Sequence, residues 1–294
     1  PNTIKSIGEL AFADCYELQL TLRNHSHLSR YNLIDGVLFD NQFQIILFFP
    51  ATNLNTEYKI PDTVRKISMG TFSHCQNLQS ITIPPTITSI DNFTFFQCTN
   101  LQSITIPKTV VSINYRAFSD CPSLKTIAIH ANINSIDTSA FSFCSNLTAI
   151  NVELDNPNFT SIDGVLFSKD CKTLLYFPEN HSCSPYYIPE GTTTINQQAF
   201  AHNKKIQSIA IPDITSINNG PLNNYYHYQS IIIHPNVTSI GDEAFYHCDN
   251  LQSVILPSRL TSINTGVFRN CTNLHSIIIP TSVTIIGDGA FSGC

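Results

Sequence analysis

Apolar and polar positions along the chain repeat with a period of 23 residues. The phrase L-Q-S-I-T-I-P ends at Pro84 and returns 23 residues later, ending at Pro107. Within the phrase, Ile81 and Ile83 alternate with the polar Thr82, which predicts a β-strand with one buried face. The proline that follows predicts the end of that strand.

Two more segments complete each unit. Ile87 and Ile90 enclose the polar pair T-S and predict a second short extended segment, whereas Phe118 and Cys121 have the i, i+3 spacing of a short helical turn. Because a unit of 23 residues cannot bury its apolar face alone, the repeat predicts a stack of about ten coils, which is a solenoid.

Two columns of residues run through the predicted stack. The aromatic column consists of Phe12, Phe72, Phe95, Phe118, Phe141, Phe200, Phe245, Phe268 and Phe291, with Leu222 in the remaining copy. The cysteine column consists of Cys15, Cys75, Cys98, Cys121, Cys144, Cys248, Cys271 and Cys294, with Asn203 and Tyr225 in the remaining copies.

The period breaks twice, and both breaks contain the same extra element, which begins with I-D-G-V-L-F at Ile34 and at Ile162. Pairs of apolar segments predict a β-hairpin in each, within insertions at about residues 23–59 and 151–187. The segments are Val37–Phe39 with Ile45–Phe49, and Val165–Phe167 with Leu174–Phe177. Their aromatic residues could pack back on the coils, project to bind partners or mediate self-association; they are Phe43, Phe48, Phe49, Tyr176, Phe177, Tyr186 and Tyr187.

The unit L-x-x-I-x-I-P-x-x-V-x-x-I-x-x-x-A-F-x-x-C resembles the Treponema pallidum-type leucine-rich repeat of BspA-like surface proteins over essentially the whole chain. The resemblance implies an α/β leucine-rich-repeat solenoid, right-handed and curved, with a parallel β-sheet on one side. We expect a single domain over residues 1–294, part of a longer array, with any signal or anchor outside it. Members of the family are typically surface or secreted proteins implicated in adhesion to host proteins, and the resemblance identifies no catalytic residue.

Composition and motifs reduce the number of functional classes to which the chain could belong. Charged residues make up 12% of the chain, about half the usual share, and the net charge is -6. No run of Lys and Arg indicates a nucleic-acid binder, and no apolar stretch reaches the ~18 residues of a membrane span. The motifs G-x-S-x-G, H-E-x-x-H, G-x-G-x-x-G and the P-loop are missing, so we expect neither an enzyme nor a cofactor.

The cysteines could be metal ligands, disulfides or core residues. The two nearest in sequence, Cys171 and Cys183, are too far apart for the paired ligands of a zinc site, so we expect no metal. Cysteines of the column would have parallel Cβ directions, which does not suit disulfides and favours buried free thiols that act as small apolar residues. Cys171 and Cys183 correspond to Phe43 and Asn55 in the other insertion, so this pair was gained or lost together and could form a disulfide.

We expect partner proteins, such as host extracellular matrix or cell-surface proteins, to bind strand residues that point away from the core. An intracellular protein-interaction scaffold using the same surface is the alternative. A second candidate is the aromatic cluster Tyr225, Tyr226, His227 and Tyr228, which could instead be a repacked part of the core. The candidate strand residues are Gln79, Ser80, Thr82, Gln102, Ser103, Thr105, Lys125, Thr126, Gln207, Ser208, Gln252, Ser253, His275 and Ser276.

Overall fold

The structure is a computed structural model that describes residues 4–21, 30–196, 199–200, 202–203, 205–212, 216–217, 222 and 227–294. Within these residues the chain forms two compact units. The first contains the residues up to Leu147 together with Val152–Asn158, and the second contains Thr148–Asn151 and the residues from Phe159 onward. Each unit is a β-solenoid, and all regular secondary structure in the described residues is β-strand.

The described part of the first unit contains eleven strands. They are β1 (Tyr31–Ile34), β2 (Val37–Asp40), β3 (Ile45–Phe48), β4 (Glu57–Lys59), β5 (Lys66–Ile67), β6 (Ser80–Thr82), β7 (Ser89–Ile90), β8 (Ser103–Thr105), β9 (Ser112–Ile113), β10 (Thr126–Ile129) and β11 (Ser135–Ile136). A parallel sheet contains β4, β6 and β8, a second contains β7, β9 and β11, and a mixed sheet has the order β1-β2-β3-β5. A further strand, β12 (Ala149–Val152), has residues in both units.

The described part of the second unit contains twelve strands. They are β13 (Phe159–Ile162), β14 (Val165–Ser168), β15 (Thr173–Tyr176), β16 (Tyr186–Tyr187), β17 (Thr194–Ile195), β18 (Ser208–Ile211), β19 (Ser216–Ile217), β20 (Ser230–Ile233), β21 (Ser239–Ile240), β22 (Ser253–Ile255), β23 (Ser262–Ile263) and β24 (Ile285–Ile286). One parallel sheet has the order β16-β18-β20-β22, and the pairs β19-β21 and β23-β24 are parallel as well. A mixed sheet has the order β13-β14-β15-β17.

A regular coil has three sides around an apolar core. In one coil the longer strand β6 buries Ile81 and exposes Thr82, and the shorter strand β7 buries Ile90. The turn segment that follows buries Phe95 and Cys98. The predicted strand with one buried face is therefore confirmed, and the aromatic column forms a stack in which the Phe95 ring lies 5.5 Å from the Phe72 ring and 5.3 Å from the Phe118 ring.

The predicted helical turn, and with it the α/β description, is wrong for the residues described, because the segment forms two consecutive turns. Phe96 N donates to Phe93 O and Cys98 N donates to Phe95 O, both bonds of the i to i+3 kind. Phe93 and Gln97 have positive φ angles of 57° and 55°, and a right-handed helix cannot contain such left-handed residues. The conformation that these residues take directs their N–H groups away from their own segment.

These N–H groups bind the next coil and add a third ladder to the two made by the strands. Phe93 N donates to Tyr115 O at 3.0 Å, Phe95 N to Ala117 O at 2.8 Å and Gln97 N to Ser119 O at 3.0 Å. The second unit has the same arrangement from Glu243, Phe245 and His247 to the coil that follows. In a helix the same N–H groups would bond to carbonyl oxygens of their own coil. The turns therefore provide hydrogen bonds between coils that a helix would not provide.

Each insertion is a three-stranded antiparallel meander rather than a two-stranded hairpin. β1 and β2 pair through Asp35 and Gly36, whose φ angles of 49° and 81° are those of a type I′ turn. β2 pairs with β3, which in turn pairs in parallel with β5 of the next coil. The second unit repeats this order through Asp163 and Gly164. The last strand of the predicted hairpin therefore belongs to a coil, because its inward residues Ile46 and Leu174 are needed in the core.

Most aromatic residues of the insertions pack in the cores of their own units. Phe49 and Phe177 extend the aromatic column, with ring centroids 5.0 Å from Phe72 and from Phe200. Phe48, Tyr176 and Tyr186 are also buried, whereas Phe43 is half-buried and Tyr187 is exposed. Of the three roles considered for these residues, packing on the coils applies to the buried ones.

Candidate protein-binding face

The outward residues of the first unit form rows across its longer strands. Ser80 lies opposite Ser103 and Thr82 lies opposite Thr105 where β6 pairs with β8. Gln102 N donates to Gln79 O at 3.0 Å, so the glutamines that precede the strands follow the same register. Because parallel pairing in register places like residues side by side, a single repeated phrase becomes rows of like side chains.

The second unit builds a similar face on β18, β20 and β22. Ser208 pairs with Ser230, which pairs with Ser253. The sequence prediction omitted Gln229 and Ser230, because the coil before them is a residue short and lacks the aromatic and cysteine positions. The phrase Q-S-I-I-I at 229–233 was the signal that could have identified them.

The structure distributes the candidate residues over different sheets and does not gather them on one. Lys125 and Thr126 are exposed but lie outside the sheet formed by β4, β6 and β8. Nδ1 of His275, which is also exposed, donates to the backbone oxygen of Asn273 at 2.6 Å. Ser80 and Ser208 are half-buried, and the remaining candidates are exposed: Gln79, Thr82, Gln102, Ser103, Thr105, Gln207, Gln252, Ser253 and Ser276. Their use as a contact surface stays a prediction.

The aromatic cluster is only partly described. Tyr225 and Tyr226 lie outside the described residues, and His227 is half-buried. Tyr228 is 2% exposed and belongs to the core cluster of the second unit, and its burial raises the pKa of its hydroxyl well above the ordinary value. Tyr228 therefore packs in the core and is not available on the surface.

The cysteine column carries hydrogen bonds that the sequence prediction did not include. Buried thiols donate to the backbone oxygen of the aromatic residue one coil earlier, as Cys121 does to Phe95 at 3.1 Å and Cys271 does to Phe245 at 3.2 Å. Burial raises the pKa of the Cys98 and Cys121 thiols, which stay protonated as donors, and it raises the pKa of the Cys75 thiol as well. Asn203 was the sequence signal that could have revealed these bonds, because it replaces a cysteine of the column with another hydrogen-bond donor. Its Nδ2 donates to Pro178 O at 2.8 Å.

The remaining chemistry of the described residues is sparse. Cys171 and Cys183 are free thiols in the structure, with Sγ 4.0 Å from Lys169 O and 3.6 Å from Pro185 O, respectively, so the disulfide between them stays a prediction. Among the described residues, no three His, Cys, Asp or Glu side chains converge on a point that could hold a metal. In the same part of the chain, no helix has the length and apolarity needed to cross a membrane.

The fold and the repeat define a leucine-rich-repeat protein. The sequence matches the family described as BspA type Leucine rich repeat region, in 6 copies, over residues 47–175 and 176–294. Because these matches cover most of the chain, the chain belongs to this family, as the repeat pattern predicted.

Two solved structures give the similarity in detail. A leucine rich cell surface protein from Faecalibacterium prausnitzii is 32% identical with a TM-score of 0.54, over 80% of this chain and 56% of that one. This chain therefore spans little more than half of that protein. The pneumococcal vaccine antigen PcpA is 20% identical with a TM-score of 0.53, over 90% of this chain and 79% of that one, which shows the fold alone. A search of curated protein sequences gave no match.

Proposed function

We propose that this chain is a non-catalytic cell-surface or secreted binding protein with an adhesin-like role. It presents its strand faces to proteins of a host or of neighbouring cells. The single observation that carries the proposal is the set of registered rows of outward polar residues, such as the exposed Ser103 and Thr105 on β8 beside the half-buried Ser80 and the exposed Thr82 on β6. Family membership supports a binding role, because repeats of this kind use extended strand faces for partners.

The arrangement of the rows favours a partner contact that is distributed over many residues. Backbone hydrogen bonds on three sides of each coil hold the rows of the first unit in fixed positions, so a partner meets a preorganised surface. The candidate rows of this unit contain one charged residue, Lys125, and no aromatic residue. Each contact is therefore weak, and affinity comes from the number of rows that a partner covers at once.

The proposed location follows the relative of known structure. The Faecalibacterium prausnitzii protein is described as a cell surface protein, and it shares 32% identity with this chain. Biotinylation of intact source cells, followed by detection with an antibody to this chain, tests the location. Labelling of intact cells supports the proposal, whereas labelling only after permeabilisation supports the intracellular scaffold instead.

Binding is tested by surface plasmon resonance with the purified chain immobilised and a panel of host extracellular matrix and cell-surface proteins as analytes. The expected result is saturable binding to at least one of them, unchanged by blocking of the exposed thiols with iodoacetamide. Absence of saturable binding across the panel, with a folded chain by circular dichroism, would contradict the proposal.

A further inference from the structure

The sheet of the second unit has an apolar column on its outward side. Tyr187 on β16 pairs with Ala210 on β18, Ala210 with Ile232 on β20, and Ile232 with Ile255 on β22. Ile255 makes a parallel bridge to Ile278, which extends the column by one coil. Five neighbouring coils thus place an apolar residue at the same outward position.

The large side chains of this column are exposed to an unusual degree. Ile232 is 49% exposed, Ile255 is 74% exposed and Ile278 is 87% exposed, and Tyr187 at the other end is 66% exposed. Together they present on the order of 500 Å² of apolar surface, near the upper end of the largest single patch on typical monomeric proteins. The largest apolar patch on a monomeric protein is often functional, so this column is a candidate interaction surface.

The fold does not require apolar residues at this position. In the first unit the corresponding outward residues are Lys59 on β4, Thr82 on β6 and Thr105 on β8, which pair in the same parallel register. Both units therefore have the same backbone arrangement with opposite chemistry at one position. Formation of the coil therefore does not require isoleucine at this position, and the isoleucines serve only to make the outward face of the second unit apolar.

We propose that a second copy of this chain docks on the apolar column, face to face, about a two-fold axis near Ile255. Ile255 lies one rung from Ile232 and one rung from Ile278, so two antiparallel columns match: Ile255 meets Ile255 of the other copy, and Ile232 meets its Ile278. A two-fold interface needs such a self-complementary patch, and the equal spacing of parallel strands supplies it. This association goes beyond the binding of other proteins proposed above, and its rim shares Gln252 and Ser253 with the candidate face of the second unit.

The charge around the column and its apolar area are consistent with a second copy of the chain as the partner. The net charge of -6 opposes contact between copies in general, yet the positions two residues before and two residues after Ile232, Ile255 and Ile278 carry Ser, Pro or His234 and no Asp or Glu. A specific dimer interface needs about 600 to 1,000 Å² from each partner. In this register Ile232, Ile255 and Ile278 supply the apolar centre of the interface, whereas Tyr187 and Ala210 lie beyond the matched rungs. Gln229, Gln252 and Ser253 on the flank add a polar rim.

Sedimentation velocity of the purified chain alone, from about 5 to 200 µM, tests the proposal, since weak dimers have micromolar dissociation constants. We expect a concentration-dependent dimer for the unchanged chain. Ile255→Asp should weaken it at least about tenfold, because two carboxylates would meet at the two-fold axis. Thr105→Asp, the control at the same strand position in the first unit, should leave the dimer unchanged.

Ile255→Thr is a second variant that should fold normally, because threonine is β-branched like isoleucine and Thr105 already occupies the same position in the other sheet. It should also weaken the dimer. A monomeric chain over the whole range would overturn the proposal. Association that survives both substitutions at Ile255, or that Thr105→Asp also abolishes, would overturn it too. Because no other protein is present, these outcomes are independent of the plasmon resonance experiment on partner binding.

Discussion

Sγ of Cys98 lies 3.0 Å from the backbone oxygen of Phe72 and donates a hydrogen bond to it across the boundary between two coils. The same oxygen also accepts from Cys75 N at 3.3 Å within its own coil. Corresponding thiol bonds join Cys121, Cys144, Cys248, Cys271 and Cys294 to the coil before each. Cysteine suits this position because its side chain is small and apolar enough to be buried and still carries one donor.

Replacement of Cys98 by Val tests the thiol bond. Val fills similar space without a donor, so the free energy of unfolding should fall by about 1 kcal/mol, the net value of an ordinary hydrogen bond. Cys75→Val is the matched control, because Cys75 is also buried and its Sγ has only a 3.9 Å contact with Ser73 O. Urea denaturation followed by circular dichroism gives both values. An equal loss in the two variants would show that packing, and not the bond, explains the column.

Buried thiols predict a loss of stability in alkaline solution. Burial raises the folded-state pKa of the Cys75, Cys98 and Cys121 thiols above the ordinary value of 9.0. Below about pH 8 both states hold these protons, so the thiols give no pH dependence there. Above pH 9 the unfolded chain releases protons that the folded chain retains, and the free energy of unfolding falls by up to about 1.4 kcal/mol per pH unit for each thiol.

Urea midpoints at pH 7, 9 and 10 measure this effect, with Cys98→Val as the control that should fall less steeply. Tyr58 adds to the loss at higher pH, because burial and the nearby Asp35 raise its pKa to about 12. Midpoints that stay constant from pH 8 to 10 would contradict the role given to the buried thiols.

Gly164 should be among the least replaceable residues of the second unit. Its φ is 81°, and a Cβ there would lie 2.6 Å from Cβ of Ala149. Gly164→Ala should therefore cost about 3 kcal/mol or more, from backbone strain and overpacking together. Gly191→Ala, with φ 87° and open space around the added Cβ, should cost only about 1 kcal/mol of backbone strain. Chemical denaturation that gave equal losses would contradict the close approach at Ala149.

The disulfide between Cys171 and Cys183 stays a prediction with a simple test. Alkylation of the denatured chain without reductant, followed by intact-mass measurement, should modify eight thiols, that is, the ten cysteines less the two joined. With reductant the number should rise to ten. Ten modified thiols without reductant would contradict the disulfide.

The sequence predicted the coils well because both signals it used are packing signals. The alternation of Ile81 and Ile83 with Thr82 appears as a strand with one buried face, and the spacing of Phe95 and Cys98 places both in the core. That spacing did not distinguish a helical turn from two consecutive turns. The left-handed residues that decide this, such as Phe93 and Gln97, are not types that prefer such a backbone, so the ladder between coils dictates it.

The meander could have been predicted, because Asp-Gly between apolar segments is the strongest short signal for a two-residue hairpin. The prediction weighed the apolar segments alone and therefore missed β1 and β13. For the candidate face, the outward positions were identifiable from the period. The apolar column of the second unit became visible only once the register placed Ile232, Ile255 and Ile278 side by side.

The most direct test of the proposed function compares Thr105→Arg with Thr88→Arg for a partner protein identified by plasmon resonance. Thr105 is exposed on the longer strand β8, and Thr88 is exposed beside the shorter strand β7 on another side of the coil. If the longer strands bind the partner, Thr105→Arg should weaken affinity at least about tenfold, and Thr88→Arg should change it less than about twofold. Equal effects, or a loss confined to Thr88→Arg, would contradict binding through the longer strands.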